Sequence, residues 1–490
     1  MAPLFSKSAK SHKTIEDLND YCLLDIIDKL SLKEKFRFRL NNRFRHLVDT
    51  NLNTTRGLKI GRNARNCCDP RHWSLSLTIG GQQGNDLFEL NDKNKNILKM
   101  IFRFCPNIRC IEMSAEVDLK MMVWIRKRCK LLECLQLNKS VLNSRLTSRQ
   151  WIQIGETLSD NLIHLSMNSV TNPEKLTEFG LIYMVQNFTN LQEFSFDVYE
   201  MPIDKVFTYF GPNLKTLKLN KCYKYRVHPN TFNILRQNAI NLEHLEVEGY
   251  DRETLDIICN TLPHLKSLNI FFFTTWPDMD SLSQLSQMPD LEHLKVEFYQ
   301  NRGVINYLAK SVFLKLESLN LTGISFTPKL FQDFGLYFPN IRQLVLQNCS
   351  LLCDDRSDDF RDRQDCNDCK ETVWRHLSKL SHLRKLSVNL LPRKDTGFSK
   401  SYVWTLNERS FPAIEELDFQ WLPYDSRTFA DNLLNPLMAF ARKHPKRMFK
   451  LRVSSDFFES VTKKKQINGI KYNVLSSSIE RNVKIINCYP

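Results

Sequence analysis

The sequence predicts an α/β solenoid, with a curved parallel sheet inside and helices outside, preceded by a small three-helix module. Three observations predict it. An apolar residue is followed at plus three and plus five by two more, as in Leu214, Leu217 and Leu219, and this phrase recurs. It begins at Ile108, Leu132, Leu162, Leu191, Leu214, Leu242, Leu265, Leu291, Leu316, Ile341, Leu383 and Ile414, with a weaker copy at Met448. Its last two members alternate with polar neighbours, the period-two pattern of a half-buried strand. Second, the residues between phrases, such as 251–262 and 330–338, have helical spacing. Third, Pro106, Pro212, Pro263, Pro289, Pro339 and Pro412 each stand two positions before a phrase. A proline there ends one helix and sets up an extended strand. Each unit buries its apolar face only against its neighbours, so stability is shared along the array.

Position plus eight carries Cys222, Tyr250, Phe273, Tyr299, Ile324 and Cys349, just past the strand, where the chain turns inward over the core. With these residues the pattern over residues 100–455 resembles the leucine-rich repeat, in the Cys-containing subtype common among F-box proteins. The resemblance implies one strand per repeat on a concave side and helices on the convex side.

Residues 1–14 read as a disordered basic N-terminus. Residues 15–50 follow as three short amphipathic helices, with Asp20 a candidate cap for the first. Leu18, Leu23, Ile26, Ile27 and Leu30 match the first half of an F-box pattern, and Leu40, Phe44 and Leu47 the second half. The chain departs from that pattern at Asn19, Asn41 and Phe44, where Pro, Cys and Trp are usual. An F-box followed by leucine-rich repeats is a family layout that this chain resembles. The resemblance implies that those eight apolar residues dock on the Skp adaptor of a cullin-scaffolded SCF ubiquitin ligase. The repeats would then present an unknown protein substrate at high effective concentration, with no chemistry of their own. The alternatives are a protein-interaction scaffold unrelated to ubiquitin and helices that only cap the open end of the array.

Residues 51–99 read as a linker and degenerate first repeat. Trp73 to Ile79 alternates like a strand, and Gly80 to Gly84 reads as a turn lacking the spacing of a phosphate loop. An acidic insertion occupies 351–372 inside the longest interval, and 456–490 reads as a C-terminal cap. Within the insertion, Cys353, Cys366 and Cys369, with His376 beyond it, lack a standard zinc spacing, so a solvated loop and no metal are expected.

The 490 residues carry a net charge of +15, but the charge sits at the ends. Residues 1–71 are +7 and 439–490 are +9, which leaves the middle at −1. That distribution argues against nucleic acid along the repeats. The basic runs Arg442 to Arg447 and Lys463 to Lys465 read as solvated tail. Neither a membrane span nor a secretory leader is expected, and the 14 scattered cysteines fit reduced thiols in the cytoplasm and/or nucleus. No catalytic or cofactor motif is present, so a non-catalytic receptor without cofactors is expected.

Positions plus two, plus four and plus six should face the partner. They carry mixed charge and, unusually, Phe271. Phe271, Phe272, Trp276, Phe298, His244, His293 and Lys295 are therefore the expected substrate-binding residues, since exposed aromatics are enriched in binding hot spots.

Overall fold

The structure is a computed structural model. It describes residues 15, 18–30, 32–60, 74–77, 92–113, 119–137, 147–158, 161–167, 177–197, 203–220, 229–248, 252–272, 285, 287–298, 303–305, 312–326, 329–351, 372–373, 375–390, 412–421, 448–453, 466–467, 470–471 and 483–487. The N-terminal fourteen residues, the glycine turn, Trp276, the acidic insertion apart from its end residues Leu351 and Thr372, both basic tail runs, and Cys222, Tyr250, Phe273 and Tyr299 lie outside the described residues. The chain forms two compact units, Met1–Leu214 and Lys215–Pro490.

The first unit opens with α1 (Asp20–Lys29), α2 (Leu32–Phe38) and α3 (Asn42–Thr54). Asn19, rather than Asp20, caps α1: its side-chain oxygen accepts from the Cys22 N–H at 2.9 Å. Asp20 and Lys29 then sit at the helix ends whose dipole they complement. Leu23 and Ile27, four apart on α1, are buried with Phe44, Leu47, Val48 and Leu52 of α3.

Strand and helix then alternate through β1 (Gly57–Ile60), β2 (Ser74–Leu77), α4 (Asp92–Phe104), β3 (Cys110–Met113), α5 (Leu119–Arg128) and β4 (Cys134–Leu137). They continue as α6 (Ser148–Leu158), β5 (His164–Met167), α7 (Glu178–Asn187), β6 (Glu193–Asp197) and a 3-10 turn at Val206–Tyr209. The strands are all parallel, in the order β2–β1–β3–β4–β5–β6. Gly57 pairs with Cys110 and also with Ser74, so β1 and β2 are two further units in register before the first full phrase. Helices α4 to α7 pack side by side in chain order. Gly155 permits the closest approach, because a Cβ there would stand 3.0 Å from the Met184 Cα.

The second unit contains β7 (Thr216–Asn220), α8 (Pro229–Asn238), β8 (His244–Glu248), α9 (Arg252–Thr261), β9 (Ser267–Phe272), β10 (His293–Phe298), β11 (Gly303–Ile305), β12 (Ser318–Thr322) and β13 (Ile324–Phe326). After these come α10 (Lys329–Gln332), α11 (Phe334–Tyr337), β14 (Gln343–Leu351), β15 (Lys385–Leu390), β16 (Glu416–Trp421), β17 (Met448–Val453), β18 (Gln466–Ile467), β19 (Ile470–Lys471) and β20 (Val483–Asn487). Its parallel order is β7–β8–β9–β10–β12–β14–β15–β16–β17–β20. A short second ladder joins β11, β13 and the end of β14, and β18–β19 is a small antiparallel pair.

Two expectations at the C-terminal end are corrected. Met448 pairs with Glu416, which is a plus-two position, so the last phrase is two residues out of phase and its plus-three and plus-five positions are Phe449 and Leu451. The stretch 456–490 does more than cap the array, because β20 adds a further parallel strand, Val483 pairing with Phe449.

Two ladders set the register. At many strand mouths among the described residues one plus-one carbonyl accepts two consecutive N–H groups of the next repeat. The Arg109 oxygen, for example, accepts from Glu133 at 2.8 Å and Cys134 at 2.9 Å. Lys215, Glu243, Lys266, Glu292, Glu317, Arg342 and Arg384 repeat the arrangement. One residue before the phrase, an asparagine amide donates to the turn of the preceding repeat. Asn107 reaches the Asn53 oxygen (2.9 Å), Asn161 that of Lys130 (2.9 Å), Asn213 that of Thr189 (3.0 Å) and Asn340 that of Leu314 (2.7 Å). These bonds satisfy carbonyls in the turns of preceding repeats, where a chain leaving a helix has no helical partner for them.

Two residues at plus seven, Gly323 (φ 69°) and Asn348 (φ 52°), adopt the left-handed conformation that Gly and Asn tolerate best. The turn drives Ile324 and Cys349 at plus eight into the core, as expected for that position. The Cys349 thiol is hydrogen-bonded to the Leu321 and Gln347 carbonyls at 3.3 Å each. Burial pushes its pKa up to about 12.

Candidate functional site

Two surfaces can meet a partner, and the helical module is the first. The eight residues expected to touch an adaptor divide by burial. Leu23, Ile27, Phe44 and Leu47 are the module's core, with the rings of Phe38 and Phe44 5.4 Å apart, and cannot meet a partner from the folded state. That is a correction: spacing that suits a docking face suits a bundle interior equally. Ile26 and Leu30 are half-buried. Leu18 and Leu40 are exposed, joined by Ile15 and Tyr21, which the sequence reading missed. Ile15, Leu18 and Tyr21 recur every third residue, and Tyr21 and Leu40 are 86% and 82% exposed.

The module also closes the end of the array. Its α2 lies against β2 and its α3 against α4. The Phe36 ring meets Phe104 of α4 edge-on at 6.2 Å, and the Arg39 guanidinium stands 4.0 Å over the same ring while pairing with Asp49 at 2.6 Å. Behind these contacts Lys35 is buried and donates to Asn51 Oδ1 at 2.8 Å. Burial lowers the Lys35 pKa against the opposing pull of Asp28 and Cys105. Burial also pushes the neighbouring Cys105 thiol up to about 12, with a Thr55 hydrogen bond and Lys35 opposing.

A lowered ammonium pKa carries a pH signature. The unfolded chain holds this proton to higher pH than the folded one, so the cost of burying the charge is full below the folded pKa. Stability returns as pH rises from there towards the ordinary lysine value. Lys35→Met should therefore raise stability relative to wild type most at neutral pH, and the difference should shrink towards pH 10. Urea midpoints of both proteins between pH 6 and 10 check this, because the buried thiols titrate in both and cancel. A constant difference would show that Lys35 is not held with a lowered pKa.

The strand face opposite the helices is the second surface, and the two units differ there. In the first unit Glu112, Ser166, Ser195 and Asp197 occupy solvent-row positions yet are buried, so β3 is buried on both sides and β5 and β6 nearly so. At its edge His164 Nδ1 lies 2.7 Å from Glu193 Oε2. In the second unit β7, β8, β9 and β10 keep a clean alternation of buried and accessible residues.

That accessible face is a grid in register. His244, Ser267 and His293 form one row, Glu246, Asn269 and Lys295 the next, and Glu248, Phe271 and Glu297 the third. Asn269 donates to Glu246 Oε2 at 3.3 Å, and Lys295 pairs with Glu297 at 2.7 Å. His244, His293, Lys295 and Phe271 are thus accessible, as expected. Phe272 and Phe298 are not: both are in the core, stacked on each other at 4.9 Å. Plus seven continues the buried row of plus three and plus five, which removes them from the partner surface.

Along the turns before the strands, His264, Asp290 and Lys315 replace the asparagine ladder. Asp290 lies 2.9 Å from His264 Nδ1 and 2.6 Å from Lys315 Nζ, and these hydrogen bonds, Lys315 first, hold its carboxyl below the usual range. No group of three metal-binding side chains occurs among the described residues. No helix among them is long and apolar enough to cross a membrane.

The repeats of each unit have the fold of a leucine-rich-repeat solenoid, one parallel strand per repeat. No protein-family model matches the chain, and no curated protein matches it. Among solved structures the chain is similar to the leucine-rich repeat-containing protein LegL7 from Legionella pneumophila. The identity is 11%, covering 58% of this chain and 85% of that one, with a TM-score of 0.35. It is similar also to the yeast Rad7 and Elc1 complex at 13% identity, covering 80% of this chain and 77% of that one, with a TM-score of 0.35.

Proposed function

We propose that this repeat protein is the substrate-recognition subunit of an SCF-type ubiquitin ligase, acting in the cytoplasm and/or nucleus. The module would dock on the Skp adaptor, itself bound to a cullin, while the repeats hold a protein for ubiquitination. One observation carries the reading. A three-helix module of F-box-like pattern stands before the repeats and keeps Ile15, Leu18, Tyr21 and Leu40 exposed. Large apolar side chains left in water on a small module suit a protein partner. The benefit to the reaction is proximity, and no residue of this chain needs to touch the reacting atoms. A scaffold unrelated to ubiquitin is favoured by a different observation, the docking of Phe36 and Arg39 on Phe104, since an end cap needs those contacts and no adaptor.

Co-purification with the Skp adaptor decides between them, using wild type and Tyr21→Asp plus Leu40→Asp. These positions are exposed, so the variant should melt like wild type and lose the adaptor. A wild-type protein that does not retain the adaptor would remove the ligase reading. Retention by the variant would move the docking surface elsewhere.

A further inference from the structure

Several turn cations are matched from one repeat to the next. Arg109 pairs with Glu133, Lys266 with Glu243, Lys315 with Asp290 and Arg342 with Glu317. The outward faces of α4 and α5 are different. Lys99 and Arg103 on α4, and Lys120, Arg126, Lys127 and Arg128 on α5, are exposed. None of the six makes an ion pair among the described residues. Helix α5 has no acidic residue, and α4 has Asp92 alone, at its first position. Like charges one turn apart destabilise a helix. The helix dipole offsets this for Arg103 and for Arg126 to Arg128, in the last turns, but disfavours Lys120 in the first. Apolar side chains lie among these cations. Met100 and Val123 are 42% and 44% exposed. Lys99, Met100 and Arg103 share one side of α4, and Lys120, Val123 and Lys127 one side of α5, by their spacing of three and four. The two faces adjoin, because the Lys99 Nζ stands 4.5 Å over the ring of Trp124 on α5.

We propose that the joined face of α4 and α5 docks an acidic segment of a partner protein, one that carries large apolar side chains between its carboxylates. The cations supply the charge complement. A guanidinium takes a carboxylate through two parallel N–H bonds, and Arg126 and Arg128 have no carboxylate of their own chain to occupy them. The Trp124 ring holds Lys99 in place without cancelling its charge. Met100 and Val123 decide the class of partner. A nucleic-acid backbone presents phosphates and sugars, which leave two exposed apolar side chains unsatisfied. An acidic segment bearing leucine or phenylalanine covers them while its carboxylates meet the surrounding cations. This surface is separate from the exposed apolar residues of the three-helix module, so the inference holds whether or not the chain binds a Skp adaptor.

The test uses full-length protein and three labelled twelve-residue peptides. The first carries glutamates and two leucines, the second has serine for the leucines, and the third has glutamine for the glutamates. A labelled DNA duplex is titrated alongside. Anisotropy should rank the acidic leucine peptide first, the acidic serine peptide about fivefold weaker or more, and the glutamine peptide without measurable binding. Arg126→Gln plus Lys127→Gln should cost the first peptide about fivefold or more in affinity. Met100→Ser plus Val123→Ser should remove the advantage that the leucines confer. These four positions are exposed, so both variants should melt like wild type. Arg236→Gln plus Lys379→Gln, at exposed cations of the second unit, makes the same change in net charge and should leave the affinity unchanged. Equal loss in that control would reduce the effect to net charge and overturn the proposal. Equal binding of the two acidic peptides, or no binding of the first, would overturn it as well. So would a duplex that binds more tightly than either peptide and is released by Arg126→Gln plus Lys127→Gln, since the face would then be a nucleic-acid surface.

Discussion

Ile27→Asp is expected to unfold the three-helix module, at a cost above about 4 kcal/mol. Ile27 has no exposed surface, and with Leu23 it is the apolar stripe by which α1 packs on Phe44, Leu47 and Val48 of α3. A carboxylate there would lose its hydration among apolar side chains. The module has few reserves, since some thirty-five residues bury too little surface to stand alone. It is anchored to the array by Phe36 and Arg39 on the Phe104 ring and by the Asn107 amide on the Asn53 carbonyl. Loss of α1 should therefore free α2 and expose the end of the array, fraying α4 and β1 before the later repeats respond. Amide exchange by mass spectrometry reads this as lost protection at residues 20–60 and 92–113, with 177–197 kept. The matching control is Tyr21→Asp, on the same helix but exposed, whose effect should stay within about 0.5 kcal/mol. Unchanged protection at 20–30 in Ile27→Asp would mean that α1 is not held by this stripe.

This variant also shows where sequence reading stops. The pattern Leu23, Ile26, Ile27, Leu30 marks a helix with one apolar side, and the helix is there. Whether that side meets α3 or another protein is decided by the fold around it. In a three-helix module core and docking face share one periodicity, so Tyr21, off the periodic stripe, was missed. In the repeats the phase was enough to separate inside from outside. Plus-three and plus-five residues are buried along the array, and the same alternation carried one step further buries Phe272 and Phe298 and leaves Phe271 accessible. Where the repeat loses its leucines the phase was lost too. Met448 looks like a phrase start but pairs two positions later, and β1 and β20 lack the proline that marks other copies. The asparagine ladder went unread because an asparagine after a helix is an ordinary turn residue. Only the repeat-to-repeat bond from its amide gives it a structural role. The covered strand face of the first unit has no sequence signature at all, since Ser166, Ser195 and Asp197 are residue types expected in water.

Phe334→Ala should produce the second large effect, a loss of about 3–5 kcal/mol confined to the repeats around β12 and β14. Helices α10 and α11 have four residues each, too short to gain much from their own hydrogen bonds. What fixes them is a chain of rings. Phe326 meets Phe331 edge-on at 5.0 Å, Phe331 meets Phe334 at 5.5 Å, Phe334 meets Phe338 at 4.7 Å, and Phe338 stacks on Phe313 at 5.4 Å. Phe334 is the middle link and is buried, so its removal leaves a cavity and breaks two ring pairs, each worth about 0.5–1.5 kcal/mol beyond burial. The segment cannot collapse around the gap easily. The Phe313 N–H donates to the Tyr337 carbonyl at 2.8 Å, and Asn340 ties the turn to Leu314 at 2.7 Å. Because each repeat leans only on its neighbours, exchange should accelerate at 312–351 and stay at wild-type rates at 229–248. Leu336→Ala, at a residue 71% exposed on the same short helix, should change neither. Loss spread evenly over residues 215–421 would mean that the second unit unfolds as one cooperative block, and the aromatic chain would then stabilise the whole unit.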